Sequence, residues 1–327
     1  MKKILIYNVC IFFGILFLLE ISIRTLNLAN LLGIKSDILI KNSNPISYYP
    51  NRSSIVFGKK IFTDEYGFRI PKKNFKYEGN KKFLILGDST SYGVGVVEEK
   101  TFIGLIRKKN RDINIYNTSI TGHNIDDHIL ITKKFKDQLD IDKLIIFLNL
   151  NDIFFQDTAA KIQNLNKAND KKTLKDKLKD NYFLAKANFF LRSKSALYVY
   201  VKSVLTFPSE RHFKRTFNFY KNDVNLLNYE KKLDKFIEVV GDNLDLTIII
   251  LPWEYQTRNN CLNKDLFLPQ DFTANYFKNK KLNYIDFSND FCKIKAKDMY
   301  LKFDPAHLSQ DGHTFVESLI IKNNLFK

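Results

Sequence analysis

The chain has 327 residues, enough for one large domain or two ordinary ones. Its composition, 45% hydrophobic and 27% charged residues, is that of a globular protein and excludes a largely disordered chain. The net charge of +17 would suit an anionic partner, but the lysines are scattered and no nucleic-acid-binding motif accompanies them. We therefore expect no nucleic-acid partner.

The first predicted element is an apolar helix over residues 4–23, which is long enough to cross a bilayer. No small-residue cleavage site follows it, which favours an uncleaved anchor over a signal peptide. The two lysines at the start of the chain favour a cytoplasmic N-terminus, although Arg24 and Lys35 place positive charge on the far side too. We predict a single-pass anchor over 1–24 with the remaining chain outside the cytoplasm, in the periplasm or at the cell surface.

Glu20 and Arg24 lie four residues apart near the outer end of this helix, so the sequence predicts an ion pair on one helix face. Residues 25–78, rich in Asn, Ser and Pro, are predicted to be an irregular lead-in to a domain over 79–327.

From residue 80 onward, short apolar runs alternate with segments of helical periodicity. The predicted strands are Lys82–Gly87, Ile113–Asn117, Lys143–Leu150, Leu246–Trp253 and Leu282–Phe287. The predicted helices are Thr101–Lys109, Ile125–Leu139, Asn225–Val240, Phe272–Lys278 and Leu308–Lys322. This alternation predicts an α/β fold, a flavodoxin-like three-layer αβα sandwich with a parallel sheet of about five strands. Ligand sites in such sheets lie at the carboxyl ends of the strands.

A segment at about 154–224 breaks the alternation, because it contains no strand pattern and is rich in Lys, Asn and Phe. A helical insertion packed on the sheet is the favoured interpretation. The alternative is a lid or a membrane-surface element over 183–207, where aromatic and basic residues mix.

Polar residues cluster at the predicted strand ends. Ser89 follows the first strand in Gly87-Asp88-Ser89, and Gly122 and Asn151 follow the second and third. Asp304 and His307 precede the last helix. A serine hydroxyl needs a base to become nucleophilic, and His307, oriented by Asp304, can supply it.

An acyl-transfer intermediate also needs fixed donors for its oxyanion. Ser89, at a helix start, offers its own N–H group. Gly122 can bring a second N–H close because it has no side chain, and the Asn151 amide can supply a third donor. The predicted oxyanion hole is therefore Ser89, Gly122 and Asn151.

These blocks resemble those of the SGNH (GDSL-type) hydrolases, over residues 80–322 apart from the insertion. Gly87-Asp88-Ser89 matches the nucleophile block, Gly122-x-Asn124 the glycine block, Asn151-Asp152 the asparagine block and Asp304-x-x-His307 the last block. The resemblance implies that Ser89 is the nucleophile, that His307 and Asp304 are the base and its partner, and that neither metal nor cofactor is needed. The segment 63–69 and the anchor are similar to membrane-anchored bacterial members, several of which act on acetylated surface glycans.

One position departs from the family pattern: Asn149 stands where the asparagine block usually begins with glycine. Either a narrower site or a changed backbone angle would follow. Asp88 and Asp152 are interpreted as structural residues of their loops, and His313 as a packing residue.

Two other residue groups are weighed. His123 and His128 are five apart, which puts them on different faces of a helix, so we predict no metal site. Trp253, Glu254 and Tyr255 end the fourth strand and suit either a sugar-binding wall or core packing. Cys261 and Cys292 are either a disulfide of an exported domain or two free thiols.

The sequence therefore predicts a membrane-anchored serine esterase acting on ester (acetyl) groups of an extracytoplasmic carbohydrate. The alternatives are an O-acyltransferase on surface glycans, a lipid esterase, and an inactive binding or assembly protein of the same fold. The sequence names no substrate-binding residues.

Overall fold

The computed structural model describes residues 2–26, 29, 38–40, 42–154, 182–258, 261, 263–302, 304 and 306–326. Its centre is a parallel five-stranded sheet in the order β5-β4-β6-β7-β8. The bounds are β4 Lys81–Leu86, β5 Ile113–Asn117, β6 Lys143–Leu148, β7 Asp245–Ile250 and β8 Tyr284–Asp286. This 2-1-3-4-5 strand order is the flavodoxin-like order, so the predicted fold class is confirmed.

Helices cover both faces of the sheet, and each face has its own apolar cluster. The one cluster joins α4 (Ile125–Phe135) and α8 (Asp223–Val240) to the sheet, while the other joins α3 (Phe102–Lys109) and α12 (Gln310–Lys322). The remaining helices of the domain are α2 Ser89–Tyr92, α7 Pro208–Phe217, α9 Glu254–Arg258, α10 Leu268–Asn279 and α11 Ser288–Phe291. Short 3₁₀ turns lie at Glu98–Lys100, Leu150–Ile153, Asn218–Lys221, Lys264–Phe267 and Ala296–Met299.

The predicted elements are present, and their ends differ by a few residues. β6 and β7 end at Leu148 and Ile250, two to three residues before the apolar runs do, because the buried residues that follow are no longer paired in the sheet. Helix α10 begins at Leu268, four residues before its predicted start, with Pro269 in its first turn.

The prediction of an irregular lead-in is wrong for residues 53–70. They form a three-stranded antiparallel sheet of β1 Ser53–Val56, β2 Lys59–Thr63 and β3 Arg69–Ile70. These strands of two to five residues are too short for a period-two pattern to stand out. Gly67 makes the last turn possible with a φ of +85°, since a side chain there would meet the Tyr48 carbonyl oxygen at 2.3 Å.

The N-terminal helix α1, Lys2–Thr25, is the one helix in the described part of the chain that is long and apolar enough to cross a membrane. The predicted pair within it is present, with Arg24 Nε 2.6 Å from Glu20 Oε1.

The insertion is helical where it is described: α5 is Tyr182–Lys194 and α6 is Ala196–Thr206, followed by α7. Residues 155–181 of the predicted insertion lie outside the described residues. Packing on the domain core is confirmed for α7, whose Phe213 and Phe217 are buried there. It is wrong for α5 and α6, because their large apolar side chains are exposed and α6 packs on α1.

The question left open for the two cysteines is answered by a disulfide between Cys261 and Cys292, whose Cα atoms are 5.5 Å apart. It joins the segment after α9 to the end of α11.

Candidate active site

The nucleophile loop starts where β4 ends. Asp88 caps the short helix α2, and its carboxyl oxygen Oδ1 accepts from the N–H of Thr90 at 2.9 Å. Ser89 is the first residue of that helix and is 9% exposed. A side chain at Gly87 would lie 2.5 Å from the Ser91 hydroxyl, so the chain can turn here only with glycine.

Asp304 and His307 are brought together, as the sequence predicted. His307 Nδ1 and Asp304 Oδ2 are 2.7 Å apart, while Asp304 Oδ1 accepts from the N–H groups of Ala306 and His307. Burial alone would raise the pKa of Asp304, but the imidazole and these hydrogen bonds lower it overall. With the carboxylate ionised, Nδ1 carries the proton and Nε2 is left as the basic nitrogen.

The loop of His307 lies against the nucleophile loop. Thr90 Oγ1 donates to the carbonyl oxygen of Ala306 at 3.5 Å. Burial lowers the pKa of His307, but the charge of Asp304, with a smaller contribution from Asp88, raises it above its usual 6.5. The structure therefore places Ser89, Asp304 and His307 on adjoining loops.

Each of the three predicted oxyanion donors has an N–H group that is not used within the described part of the chain. In the described part of the chain, the main-chain N–H groups of Ser89 and Gly122 donate to no acceptor. Gly122 has a φ of +94°, a conformation that favours glycine. Asn151 commits one amide proton to Asp88 Oδ2 at 3.1 Å, which leaves its other proton for a ligand.

Asn149 has a role that the sequence did not reveal. Its Nδ2 donates to Asp88 Oδ1 at 2.7 Å, so Asp88 is held by both asparagines of this loop. The backbone angle of Asn149 is ordinary, with a φ of −117°. A changed backbone angle therefore does not account for this residue, and its side chain joins the asparagine loop to the nucleophile loop. The sequence signal for this role was the asparagine itself, which stands where the family pattern has glycine.

A buried polar layer supports these loops. Asp152 accepts from the Asn149 N–H at 2.6 Å, as expected of a structural residue, and its other carboxyl oxygen lies 3.3 Å from His128 Nε2. Burial raises the pKa of Asp152. Burial also lowers the pKa of His123 to about 4, and its Nε2 lies 2.8 Å from the Ile46 carbonyl oxygen.

The argument that placed the two histidines on different helix faces is wrong, since His123 precedes α4 and its ring meets that of His128 edge to face at 6.1 Å. Among the described residues, no group of three or more His, Cys, Asp or Glu side chains is arranged to hold a metal.

Arg69, in the lead-in sheet, reaches the far end of helix α2. Its guanidinium donates to the carbonyl oxygens of Tyr92, Gly93 and Val96, the last two at 3.1 and 2.6 Å, and lies over the Tyr92 ring. Asp88 and Arg69 thus hold opposite ends of the helix that carries Ser89. An arginine between two apolar residues, Phe68 and Ile70, was the available sequence signal.

The remaining candidates are structural. His313 is buried and its Nδ1 accepts from the Phe102 N–H at 3.2 Å, which confirms the packing interpretation. Trp253 is also buried, and the exposed His212 of α7 stacks on its ring with centroids 4.9 Å apart, so it forms no open sugar-binding wall. Ser209 of α7 also donates to the Glu254 carboxylate, so the insertion packs on the segment that follows β7.

No family model matches the chain, and no curated protein matches it. It is similar to a solved lipase/acylhydrolase from Enterococcus faecalis at 14% identity and a TM-score of 0.44, covering 74% of this chain and 94% of that one. It is also similar to a member of the lipolytic G-D-S-L family from Veillonella parvula, at 14% identity and a TM-score of 0.42, covering 74% of this chain and 97% of that one. A catalytic mutant of an acetylxylan esterase from Geobacillus stearothermophilus is similar at 13% identity and a TM-score of 0.43, and the match covers 76% of this chain and 95% of that one. At such identities and TM-scores, the residues of this chain carry the functional proposal on their own.

Proposed function

We propose that this chain is a GDSL-type serine hydrolase that cleaves esters through an acyl intermediate on Ser89. The observation that carries the proposal is the Asp304–His307 hydrogen bond of 2.7 Å on the loop that adjoins the Ser89 helix. Nucleophile, base and base-orienting carboxylate are the parts that serine-dependent acyl transfer requires.

In the proposed first half-reaction, Ser89 Oγ attacks the ester carbonyl carbon and His307 Nε2 takes the hydroxyl proton. The carbonyl oxygen becomes an oxyanion, which accepts hydrogen bonds from the N–H groups of Ser89 and Gly122 and from the Asn151 amide. When the intermediate collapses, the C–O bond to the alcohol breaks and the imidazolium returns the proton to the leaving oxygen. Asp304 stabilises the imidazolium throughout.

In the second half-reaction, water replaces the alcohol. His307 takes a proton from water, the hydroxide oxygen bonds to the acyl carbon, and the same three donors hold the second oxyanion. The Ser89 ester bond then breaks and Ser89 recovers its proton from His307. The chain ends unchanged and the products are an alcohol and a carboxylic acid.

We further propose that the ester is an acetyl group on a carbohydrate outside the cytoplasmic membrane. A cavity of about 620 Å³ adjoins the Gly122 loop and mixes aromatic side chains with polar ones, a lining that suits a sugar ring. Its lining includes Ile120 and His123 of that loop, with Tyr66, Lys134 and Gln138. The Cys261–Cys292 disulfide and the apolar α1 support an exported, membrane-anchored domain.

The test is reaction of the full-length chain in detergent with a serine-reactive fluorophosphonate, with the adduct located by mass spectrometry. We expect an adduct on Ser89. His307→Ala should remove it, because the hydroxyl then lacks its base. Ser91→Ala is the matched control: Ser91 lies two residues on in the same helix, and its loss should leave labelling of Ser89 intact.

A folded protein that forms no adduct, or labels equally without His307, would overturn the proposal. In that case a binding protein of the same fold would account for the chain.

A further inference from the structure

Helices α5 and α6 present an unusual surface. Many large apolar side chains on them and on the next residue are exposed, among them Leu205 at 74%, Phe207 at 63% and Phe190 at 60%. We call this surface the apolar face and define it by Phe189, Phe190, Val201, Val204, Leu205 and Phe207. Soluble surfaces rarely concentrate so many such side chains in a stretch of nineteen residues unless a partner covers them.

The apolar face is fixed to the outer end of α1. The Glu20 carboxylate accepts from the N–H groups of Ala196 and Leu197, both at 2.8 Å, and so caps the start of α6. Arg24 Nη2 donates to the carbonyl oxygen of Lys194 at 2.5 Å. Ile23 and Ala196 are buried against each other in the same small cluster. If α1 crosses a bilayer, these contacts place α5 and α6 at the level where it leaves the bilayer.

The charge around the apolar face is strongly positive. Residues 182–215 contain seven lysines and arginines and one acidic residue, Glu210. Lys202 Nζ lies 5.5 Å from the centroid of the Tyr198 ring, and burial, with the charges of Arg192 and Arg211, lowers the pKa of Lys202. Cations beside exposed aromatic and aliphatic side chains are the pattern of helices that lie in the headgroup region of an anionic bilayer.

We propose that α5 and α6 bind the surface of an anionic lipid bilayer, with the apolar face in the acyl-chain boundary and the cations among the headgroups. A second copy of the chain is a poorer occupant, since a symmetric contact would bring two basic surfaces together. The contact gives the domain a second attachment to the membrane besides α1. Because α7 leads directly from Phe207 to Phe213 and Phe217, which are buried in the domain core, the contact also holds that core close to the lipid surface.

The experiment is quenching of tryptophan fluorescence by brominated lipid. The full-length chain is reconstituted into vesicles of phosphatidylglycerol and phosphatidylcholine, with bromine on the phosphatidylcholine acyl chains. Phe189→Trp and Leu205→Trp report on the apolar face. Ile321→Trp is the matched control, because Ile321 is equally an exposed helical position but belongs to α12 on the opposite layer of the domain. The native Trp253 is buried and contributes the same background to every variant.

We expect brominated vesicles to quench the emission of a tryptophan at 189 or 205. A tryptophan at 321 should emit equally in brominated and unbrominated vesicles. Replacing phosphatidylglycerol by unbrominated phosphatidylcholine should weaken the quenching at positions 189 and 205. A reduction of the emission by bromine to the same extent at 189, 205 and 321 would overturn the proposal. So would unquenched emission at 189 and 205 that shifts to shorter wavelength as protein concentration rises, because a second copy would then cover the apolar face.

Discussion

Asn149 donates a hydrogen bond to Asp88 over 2.7 Å, and this bond joins the carboxyl end of β6 to the loop that carries Ser89. Both side chains are buried. Asn151 donates to the other oxygen of the same carboxyl group, so Asp88 receives one side-chain amide on each oxygen. Asp88 therefore sets the distance between the nucleophile and the asparagine loop, besides capping its own helix.

Asn149→Ala should lower both the stability of the protein and its rate of ester hydrolysis. The substitution removes a donor from a buried carboxyl group, which costs about 1–3 kcal/mol. We expect the free energy of unfolding in urea to fall by that amount, and kcat on a simple ester such as p-nitrophenyl acetate to fall with it. Asn110→Ala is the control, since Asn110 donates only to the end of its own helix α3. A loss no greater than the control's would show that the bond to Asp88 does not hold the loop.

Asn151→Ala should slow catalysis beyond any loss of stability that follows from removing its bond to Asp88. Its amide is the one proposed oxyanion donor that can be deleted by mutation, and loss of such a donor costs about a hundredfold or more in kcat. KM should stay unchanged, because the interaction forms only in the transition state. Steady-state kinetics beside a urea titration separate the two effects. A rate equal to that of the parent would exclude Asn151 from the oxyanion hole.

The rate should depend on pH through His307. The base must be neutral to accept a proton, and Asp304 raises its pKa above 6.5. kcat/KM should therefore fall as pH decreases through a value above 6.5. In Asp304→Asn the charge is lost, so the acid limb should move to lower pH while kcat drops by about 10⁴-fold. An acid limb at the same pH in both proteins would mean that another group controls it.

The same pair predicts the pH dependence of stability. The pKa of Asp304 is lowered in the folded state, so its contribution is present above about 3.8 and disappears at lower pH. The pKa of His307 is raised, so its contribution is complete below 6.5 and disappears as pH rises through the folded value. The stability difference between the parent and Asp304→Asn, from urea titrations, should be largest between about pH 4 and 6.5.

The sheet and the residues of the candidate site could be located from the sequence because both leave local marks. Buried parallel strands appear as apolar runs, and residues at their carboxyl ends converge whatever lies between them. Ser89 follows a predicted strand, whereas His307, more than 200 residues further on, was assigned from its spacing to Asp304 and from the resemblance to the SGNH blocks.

Contacts between distant elements could not be predicted in this way. The bond from Asn149 to Asp88 depends on the register of β4 against β6, and no local pattern encodes it. The exposure of α5 and α6 was only the second choice for a similar reason: their composition suits either a buried helix or an exposed one, and their contact with α1 rather than with the sheet has no local pattern.

Opening the Cys261–Cys292 disulfide should lower stability. The cysteines are 31 residues apart, and a cross-link of that span stabilises by about 2–4 kcal/mol. Cys261→Ser with Cys292→Ser should lower the free energy of unfolding by this amount, whereas Cys10→Ser should not. A non-reducing peptide map checks the link directly, and two alkylated thiols in its place would contradict it.

Arg69→Lys should loosen the end of α2 opposite to Asp88. Two guanidinium nitrogens serve three carbonyl oxygens there, and a single ammonium cannot reproduce that geometry. We expect a loss of about 1–3 kcal/mol in the free energy of unfolding, from the unsatisfied buried carbonyls. The rate of fluorophosphonate labelling of Ser89 in folded protein should fall as well, because the helix that carries it is less well fixed.

Arg107→Lys separates these two effects. Arg107 is also a buried arginine, but it pairs with Glu98 and donates to the Ile115 carbonyl oxygen at 2.9 Å. Its replacement should cost stability without slowing the labelling of Ser89. If both variants slow labelling alike, the loss at Arg69 is a general effect of a weakened core. If only Arg69→Lys does, the lead-in sheet takes part in catalysis by holding the nucleophile in place.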